Sequence, residues 1–172
     1  MSTQVPLRFL FYLVLASIST SGLSGQLQNR TKIDSLQRLL TKEPALNSHR
    51  VDRLNELGYE YWIADPGASI AYGNQALEIA KILPYEAGMA YANRIIGVAH
   101  WAQGNLDLSF RYLIAARKGY QNIQDALGVA NSSLNLGMAY ADQRNFDLAN
   151  RNYEDALQFF RQEGAYSRVA TT

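Results

Sequence analysis

The chain has 172 residues, 48% of them hydrophobic, which predicts a single folded domain. Its 16 Lys and Arg residues nearly balance 15 Asp and Glu residues, giving a formal net charge of +1, and without a clustered basic face it is not expected to bind nucleic acid. It contains no cysteine and only two histidines, which excludes disulfide frameworks, cysteine nucleophiles and both thiolate and histidine-rich metal sites.

Residues 1–25 have the composition of a cleaved secretory signal peptide. Arg8 precedes an apolar run from Phe9 to Ala16, and small residues follow as far as Gly25. The apolar run is about half of the roughly 20 residues that span a bilayer, so we expect cleavage; an uncleaved membrane anchor is the alternative. The mature protein is therefore expected to be exported, at a periplasmic or extracellular face.

Residues 26–47 are predicted to form a short N-terminal helix and a linker. Ile33, Leu36, Leu39 and Leu40 fall on one face of this helix, which Pro44 ends. We expect the helix to lie against the helical unit that follows.

A forty-residue period organises the rest of the chain. The same residue recurs forty positions later at several pairs, among them Gly88/Gly128, Gly97/Gly137, Asn105/Asn145, Asp107/Asp147 and Ala116/Ala156. A fixed period of this size indicates stacked copies of a two-helix unit. We predict an all-α domain over residues 48–172, with repeats at about 48–84, 85–124 and 125–164.

Residues at the predicted turns signal where the helices begin and end. Asp65 followed by Pro66 predicts an N-cap with proline at the first helical position, and Pro84 is expected to stop the second helix. Asn105 and Asn145 are the predicted N-caps of the corresponding helices in the next two repeats.

The end of the chain is predicted to begin a fourth repeat at residues 165–172, after Gly164 ends the third. Val169-Ala170 lies forty residues after Val129-Ala130, in the first helix of a repeat. An uncapped last repeat exposes apolar surface. We therefore expect a fragment, a truncated product, or a chain that caps itself by dimerising.

The repeated residues resemble the tetratricopeptide repeat, in the long form with forty residues. The first-helix pattern is seen at Leu57-Gly58, Ile96-Gly97 and Leu136-Gly137, and the second-helix alanine at Ala76, Ala116 and Ala156. His100 departs from the motif, which has tyrosine there, and the Gly58–Ala76 interval is one residue shorter than Gly97–Ala116. The resemblance implies an α-α superhelix that binds a protein or peptide partner in a concave groove lined by the first helices, with no cofactor, metal or nucleic acid.

A looser resemblance is to the exported N-terminal regions of bacterial signalling proteins. Ile33-Asp34-Ser35-Leu36 and Leu54-Asn55-Glu56-Leu57 fit the pattern of those regions. This resemblance implies a role in signal transduction and membrane tethering in a longer parent chain that carries a kinase, cyclase or DNA-binding module.

By register with the repeat, the groove is predicted to be aromatic and apolar with one cation. Such a surface suits an extended or helical peptide anchored by Trp, Tyr and Arg. The resemblance does not extend to repeats that clamp a terminal carboxylate, because Val98 and Met138 stand where those need asparagine. The alternative is that these side chains pack on neighbouring helices. The predicted groove residues are Asn55, Tyr59, Trp62, Tyr91, Arg94, Val98, Trp101, Asn131, Leu134, Met138 and Ala141.

Catalytic patterns are lacking in the sequence. His100 has no Asp or Ser partner at helical spacing, so it is interpreted as a packed structural residue, and Asp107 and Asp147 as first-turn charges that favour the helix dipole. We expect a non-enzymatic interaction or sensing module. The alternative is a structural scaffold that self-associates through its open C-terminal repeat.

Overall fold

A computed structural model describes the backbone of residues 30–169 and the side chains of residues 30–163. The predicted signal peptide, residues 1–25, lies outside the described residues. Within them, every regular element is helical. Helix α1 covers residues 30–42; the others are α2 (Ser48–Tyr61), α3 (Pro66–Ile82), α4 (Glu86–Ala102), α5 (Leu106–Asn122), α6 (Ala126–Asp142) and α7 (Phe146–Val169).

Consecutive helices pack in pairs, and the pairs stack into an α-α solenoid. The hairpins α2–α3, α4–α5 and α6–α7 are closed by extensive contacts, and α3 and α5 also pack on the first helix of the next pair. The first helices touch one another in turn, α2 with α4 and α4 with α6. This arrangement agrees with the fold predicted from the forty-residue period.

Small residues sit where the two helices of a hairpin come closest. A Cβ atom added to Gly97 would lie 2.8 Å from Leu113 Cγ and 3.0 Å from the Leu113 backbone nitrogen, and one added to Gly137 would lie 2.5 Å from Tyr153 Cε1. On the second helices, Ala76, Ala116 and Ala156 are all buried. The recurring glycine and alanine positions therefore mark close contacts between helices.

The predicted N-caps are confirmed. The side chain of Asp65 accepts a hydrogen bond from Ala68 N at 2.9 Å, with Pro66 opening α3. Asn105 and Asn145 accept from the backbone nitrogens three residues on. Asn47 and Asp125 cap α2 and α6 in the same way, and these two caps were not predicted.

Four of the turns between helices close with the same type of backbone hydrogen bond. A backbone N–H reaches the carbonyl five residues earlier, 2.9 Å away, at Tyr85, Asn105, Asp125 and Asn145. At the last three of these turns the bond closes the helix through a residue with left-handed backbone, namely Gly104 (φ 76°), Gln124 (φ 58°) and Arg144 (φ 61°). The first hairpin differs, because Asp65 N bonds to Tyr61 O four residues back at 2.8 Å. This difference fits the shorter Gly58–Ala76 interval.

Helix α1 covers the start of the solenoid. Leu36 is buried, and Leu40 packs against the core cluster formed by Val51, Leu54, Ala76, Ala80 and Ala92. Lys32 Nζ forms a salt bridge of 2.6 Å with Glu60, which raises the pKa of Lys32.

The helix end predicted at Gly164 is wrong. Helix α7 continues through Gly164 to Val169, so residues 165–169 extend this helix and do not start a new one. A glycine inside a helix costs only about 1 kcal/mol relative to alanine, and no proline follows it. The other domain limits stay predictions. Across the described residues, none of the helices has the length and apolar character needed to cross a membrane.

Candidate functional site

Helices α2, α4 and α6 lie side by side and point the same way. Near their starts, Val51 of α2 meets Gly88 of α4, at 2.7 Å from the position of an added Cβ. At their ends, the rings of Trp62 and Trp101 are 6.2 Å apart between centroids. The three helices thus form one continuous face, which we call the first-helix face.

The ends of these helices carry an aromatic pair joined to a carboxylate. Trp62 and Trp101 are half-buried and tilted by 31° to each other. The indole nitrogen of Trp101 donates a hydrogen bond of 2.7 Å to Oδ2 of Asp142, the last residue of α6. Asp142 itself is exposed. We call Trp62, Trp101 and Asp142 the indole–carboxylate cluster.

The starts of the same helices surround an open cavity of about 280 Å³. The Arg94 guanidinium lies 4.9 Å from the ring centroid of Tyr91, a cation–π arrangement. Burial raises the pKa of Tyr91 and of Tyr120, and in both cases the nearby charge of Arg94 acts in the opposite direction. The cavity is lined by α2, α4, α5 and α6 through Asp52, Tyr85, Tyr91, Arg94, Tyr120 and Asn131 among others.

The carboxylates around this cavity already accept hydrogen bonds from within the fold. Asp52 Oδ1 accepts from the Tyr85 hydroxyl at 3.0 Å; burial first, and then this bond, raises the pKa of Tyr85. Asp125 Oδ1 accepts from Gly128 N at 2.9 Å. The Arg94 side chain forms no salt bridge with any residue that the structure describes.

The remaining predicted groove residues differ in exposure. Tyr59 is 46% exposed and Leu134 is 38% exposed. Asn131 and Met138 are half-buried, as is Ala141. Val98 is half-buried and packs, with Trp101, against the core cluster of Leu113, Leu136 and Ala139. Both interpretations of these residues, groove and helix packing, therefore have a structural basis.

Asn55 does not lie on the exposed surface, and its prediction as a groove residue is corrected. The side chain is completely buried, and Nδ2 donates a hydrogen bond of 3.1 Å to the carbonyl of Gly88. A buried amide needs such a partner, so Asn55 holds α2 against α4. The register of the repeat places a residue on a helix face but does not give its depth between helices.

His100 packs inside its hairpin, as interpreted from the motif. Its ring is stacked on Tyr112 of α5, with centroids 5.7 Å apart. Burial lowers the pKa of His100, and its buried Nδ1 has no hydrogen-bond partner among the described residues. Nor do those residues include a group of three His, Cys, Asp or Glu side chains that could hold a metal ion.

Sequence reasoning did not place Asp142 or Tyr120 in the predicted groove. The sequence does contain a signal for Asp142. It directly follows Ala141, which occupies the position of Trp62 and Trp101 in the third repeat. Tyr120 is buried against Gly128, and its forty-residue counterpart Phe160 could have drawn attention to it.

The stacked hairpins place the chain in the class of helical repeat proteins. Residues 88–162 match the family described as Tetratricopeptide repeat. This match supports the interpretation of the chain as a tetratricopeptide repeat protein. The match runs from α4 into α7, and α2–α3 packs onto it as a similar hairpin. No curated protein matches the chain. Tetratricopeptide repeats typically mediate protein–protein interaction and are non-catalytic.

Proposed function

We propose that the first-helix face binds a peptide or a segment of a partner protein and performs no chemistry on it. The observation that supports this proposal is the run of partly exposed aromatic side chains contributed by successive helices. Trp62 caps the end of α2, and Tyr91 and Trp101 come from α4. Large aromatic rings provide contact area with few rotatable bonds, which is why they are enriched at binding sites.

Arg94 adds a charged anchor to this aromatic surface. It lies over Tyr91 beside the cavity, and it carries no salt bridge to a described residue that a ligand would have to break. A guanidinium offers five N–H donors in a planar fork and suits carboxylates. The proposed ligand therefore combines apolar side chains with at least one acidic group.

Selection from a random peptide library displayed on phage tests the proposal. Purified wild-type protein is expected to enrich a shared sequence pattern. The triple variant Trp62→Ala, Trp101→Ala, Arg94→Ala is expected to lose binding of the selected peptides while keeping its helical circular dichroism. Equal binding by wild type and triple variant would contradict the proposal.

A matched triple variant on another face controls for general loss of surface. Arg111, Ile114 and Lys118 are exposed on α5, so Arg111→Ala, Ile114→Ala, Lys118→Ala removes similar charge and apolar surface. This variant is expected to bind the selected peptides as the wild type does.

We also propose that the domain works outside the cytoplasm, as the exported part of a bacterial signal-transduction protein, tethered to the membrane in a longer parent chain. The residue pattern of positions 1–25 and the looser resemblance to signalling proteins support this. Expression in a bacterium followed by fractionation and mass determination tests the export. A processed protein in the periplasm is expected, and an unprocessed cytoplasmic protein would contradict it.

A second proposal is self-association through the last hairpin. Leu157 is 45% exposed and Phe160 is 39% exposed, whereas Tyr120, forty residues before Phe160, is buried beneath Gly128 of the following helix. In a solution of this chain alone, a second copy is the available source of a covering helix. Sedimentation over a range of concentrations is expected to show dimers that Leu157→Glu, Phe160→Glu disrupts and Ile114→Glu does not. A monomer at every concentration would refute it.

A further inference from the structure

The two ends of the first-helix face have opposite electrostatic character. Helices α2, α4 and α6 run parallel, so their starts gather on one side of the face and their ends gather at the indole–carboxylate cluster, while Arg94 lies in the middle of α4. A helix carries partial positive charge at its start and partial negative charge at its end. Asp142 adds a carboxylate at the ends of the helices, and the Arg94 guanidinium lies beside the cavity near their starts, which Asp52 and Asp125 also line.

Asp142 is available for a second interaction. Its carboxylate accepts from the Trp101 indole, and a carboxylate has about four acceptor positions. It forms no salt bridge within the described part of the chain, even though the exposed Arg144 lies two residues on. As the last residue of α6, it also stands where the helix dipole disfavours a negative charge. A bound cation would relieve that unfavourable placement.

The two indole rings add partly exposed aromatic surface next to this carboxylate. Trp is the aromatic side chain that attracts cations most strongly over its face. Trp62 and Trp101 are both half-buried at 6.2 Å from each other, so a ligand group that meets them is partly desolvated. Partial desolvation strengthens attraction to the rings, and the exposed carboxylate of Asp142 adds an attraction that solvent and salt screen.

We propose that Trp62, Trp101 and Asp142 bind the cationic side chain of a lysine or arginine in the peptide that occupies the first-helix face. The proposal rests on the peptide-binding function proposed above and names the chemistry of the ligand. Arg94 then takes an acidic side chain of the same peptide.

The helix geometry sets the spacing of the two charges. Arg94 and Trp101 are seven residues apart on α4, which corresponds to about 10 Å along the axis. An extended chain covers this distance in about three residues, at roughly 3.3 Å per residue. The expected ligand is an extended segment with an acidic and a basic residue three positions apart.

Tryptophan fluorescence tests the cationic site directly, because Trp62 and Trp101 are the two tryptophans of the chain. The first probe is N-acetyl-arginine amide, and its matched control is N-acetyl-citrulline amide, which has nearly the same shape but no charge. A saturable change is expected with the arginine compound, with at least tenfold weaker binding of citrulline. Equal responses to both compounds would overturn the proposal.

Asp142→Asn is the matched variant, since asparagine can still accept the indole hydrogen bond but carries no charge. Its affinity for the arginine compound is expected to fall at least tenfold, with partial recovery in Asp142→Glu. Glu154→Gln removes another exposed carboxylate and is expected to change nothing. An unchanged affinity in Asp142→Asn would refute the role of the carboxylate.

The spacing is tested with acetylated, amidated tetrapeptides. Glu-Pro-Pro-Arg is expected to bind at least tenfold more tightly than Glu-Pro-Pro-citrulline and Gln-Pro-Pro-Arg. The preference for Glu-Pro-Pro-Arg over Gln-Pro-Pro-Arg is expected to disappear in Arg94→Ala. If a neutral oligosaccharide such as maltotriose displaced the arginine probe, the assignment of Trp62, Trp101 and Asp142 as a cation site would be overturned.

These outcomes separate this proposal from the peptide-binding function. If selected library peptides bind the first-helix face without any basic residue, the cationic site is refuted and peptide binding stands. If the arginine compound binds but the library yields no peptide, the cationic site stands and peptide binding is refuted.

Discussion

The indole of Trp101 and the carboxylate of Asp142 are joined by a hydrogen bond of 2.7 Å that links the ends of α4 and α6. The bond fixes one edge of the first-helix face across a repeat boundary. Because Asp142 is exposed, the bond contributes no more than about 1 kcal/mol to stability. Its main effect is to orient the indole ring beside Trp62.

Gly97→Ala is expected to destabilise the protein by about 1–3 kcal/mol, the usual cost of overpacking a core. The new methyl group would lie 3.0 Å from the backbone nitrogen of Leu113, which cannot rotate away. Chemical denaturation monitored by circular dichroism measures the change. Gly67→Ala is the control, since Gly67 is exposed near the start of α3. An increase in stability for Gly97→Ala would show that α4 and α5 do not approach so closely.

Exchanging the residues of two equivalent turns is expected to change stability in opposite directions. Arg144 has φ 61° and its counterpart Gly104 has φ 76°. Glycine adopts this backbone without steric cost, whereas other residues lose about 1–2 kcal/mol. Arg144→Gly is expected to raise the free energy of unfolding by about 0.5–1 kcal/mol, after the larger chain entropy of glycine is subtracted.

The reverse exchange, Gly104→Arg, is expected to lower that free energy by a similar amount. An added Cβ at Gly104 meets no atom within 4 Å, so any loss comes from the backbone alone. Thermal unfolding of both variants beside the wild type is the measurement. Changes of the same sign in both variants would contradict the left-handed assignment.

Asn55→Ala is expected to cost about 1–3 kcal/mol of stability, the range for losing a buried hydrogen bond. Its Nδ2 bonds to Gly88 O at 3.1 Å, and the side chain is completely buried. Asn74→Ala, at an exposed position of α3, is the control. At a temperature where the variant is folded, binding of the library peptides is expected to be unchanged. Weaker binding of the peptides by folded Asn55→Ala would indicate that Asn55 contributes to the binding surface.

The period predicted the hairpins because it depends on contacts that repeat. Gly97 and Gly137 must be small wherever two helices meet, so their spacing reveals the fold. The depth of Asn55 could not be predicted in this way, because it depends on how closely α2 approaches α4. The passage of α7 through Gly164 was also missed, since glycine weakens a helix without breaking it.

The same limit applies to the candidate site. Register placed Trp62 and Trp101 on neighbouring first helices, and they do meet. The partnership of Trp101 with Asp142 joins residues 41 positions apart, one more than the period. Comparing identical positions across repeats does not find such an offset pair.

Stability is expected to fall as the pH drops through the titration of His100. Burial lowers the pKa of His100 below its ordinary value of about 6.5, so the unfolded chain binds a proton at a higher pH than the folded chain does. Stability from the neutral ring is therefore complete above pH 6.5 and is lost as the pH falls from 6.5 through the lowered folded pKa. Thermal unfolding between pH 7.5 and 5 measures this loss.

His100→Phe keeps a ring to stack on Tyr112 but cannot titrate, so its stability is expected to depend less on pH over the same range. His49 is exposed, and His49→Gln is expected to retain the pH dependence of the wild type because it leaves the half-buried His100 ring intact. The carboxylates titrate equally in all three proteins, so the difference between variants isolates the histidine. An identical pH dependence in wild type and His100→Phe would mean that the His100 ring is as well solvated in the folded chain as in the unfolded one.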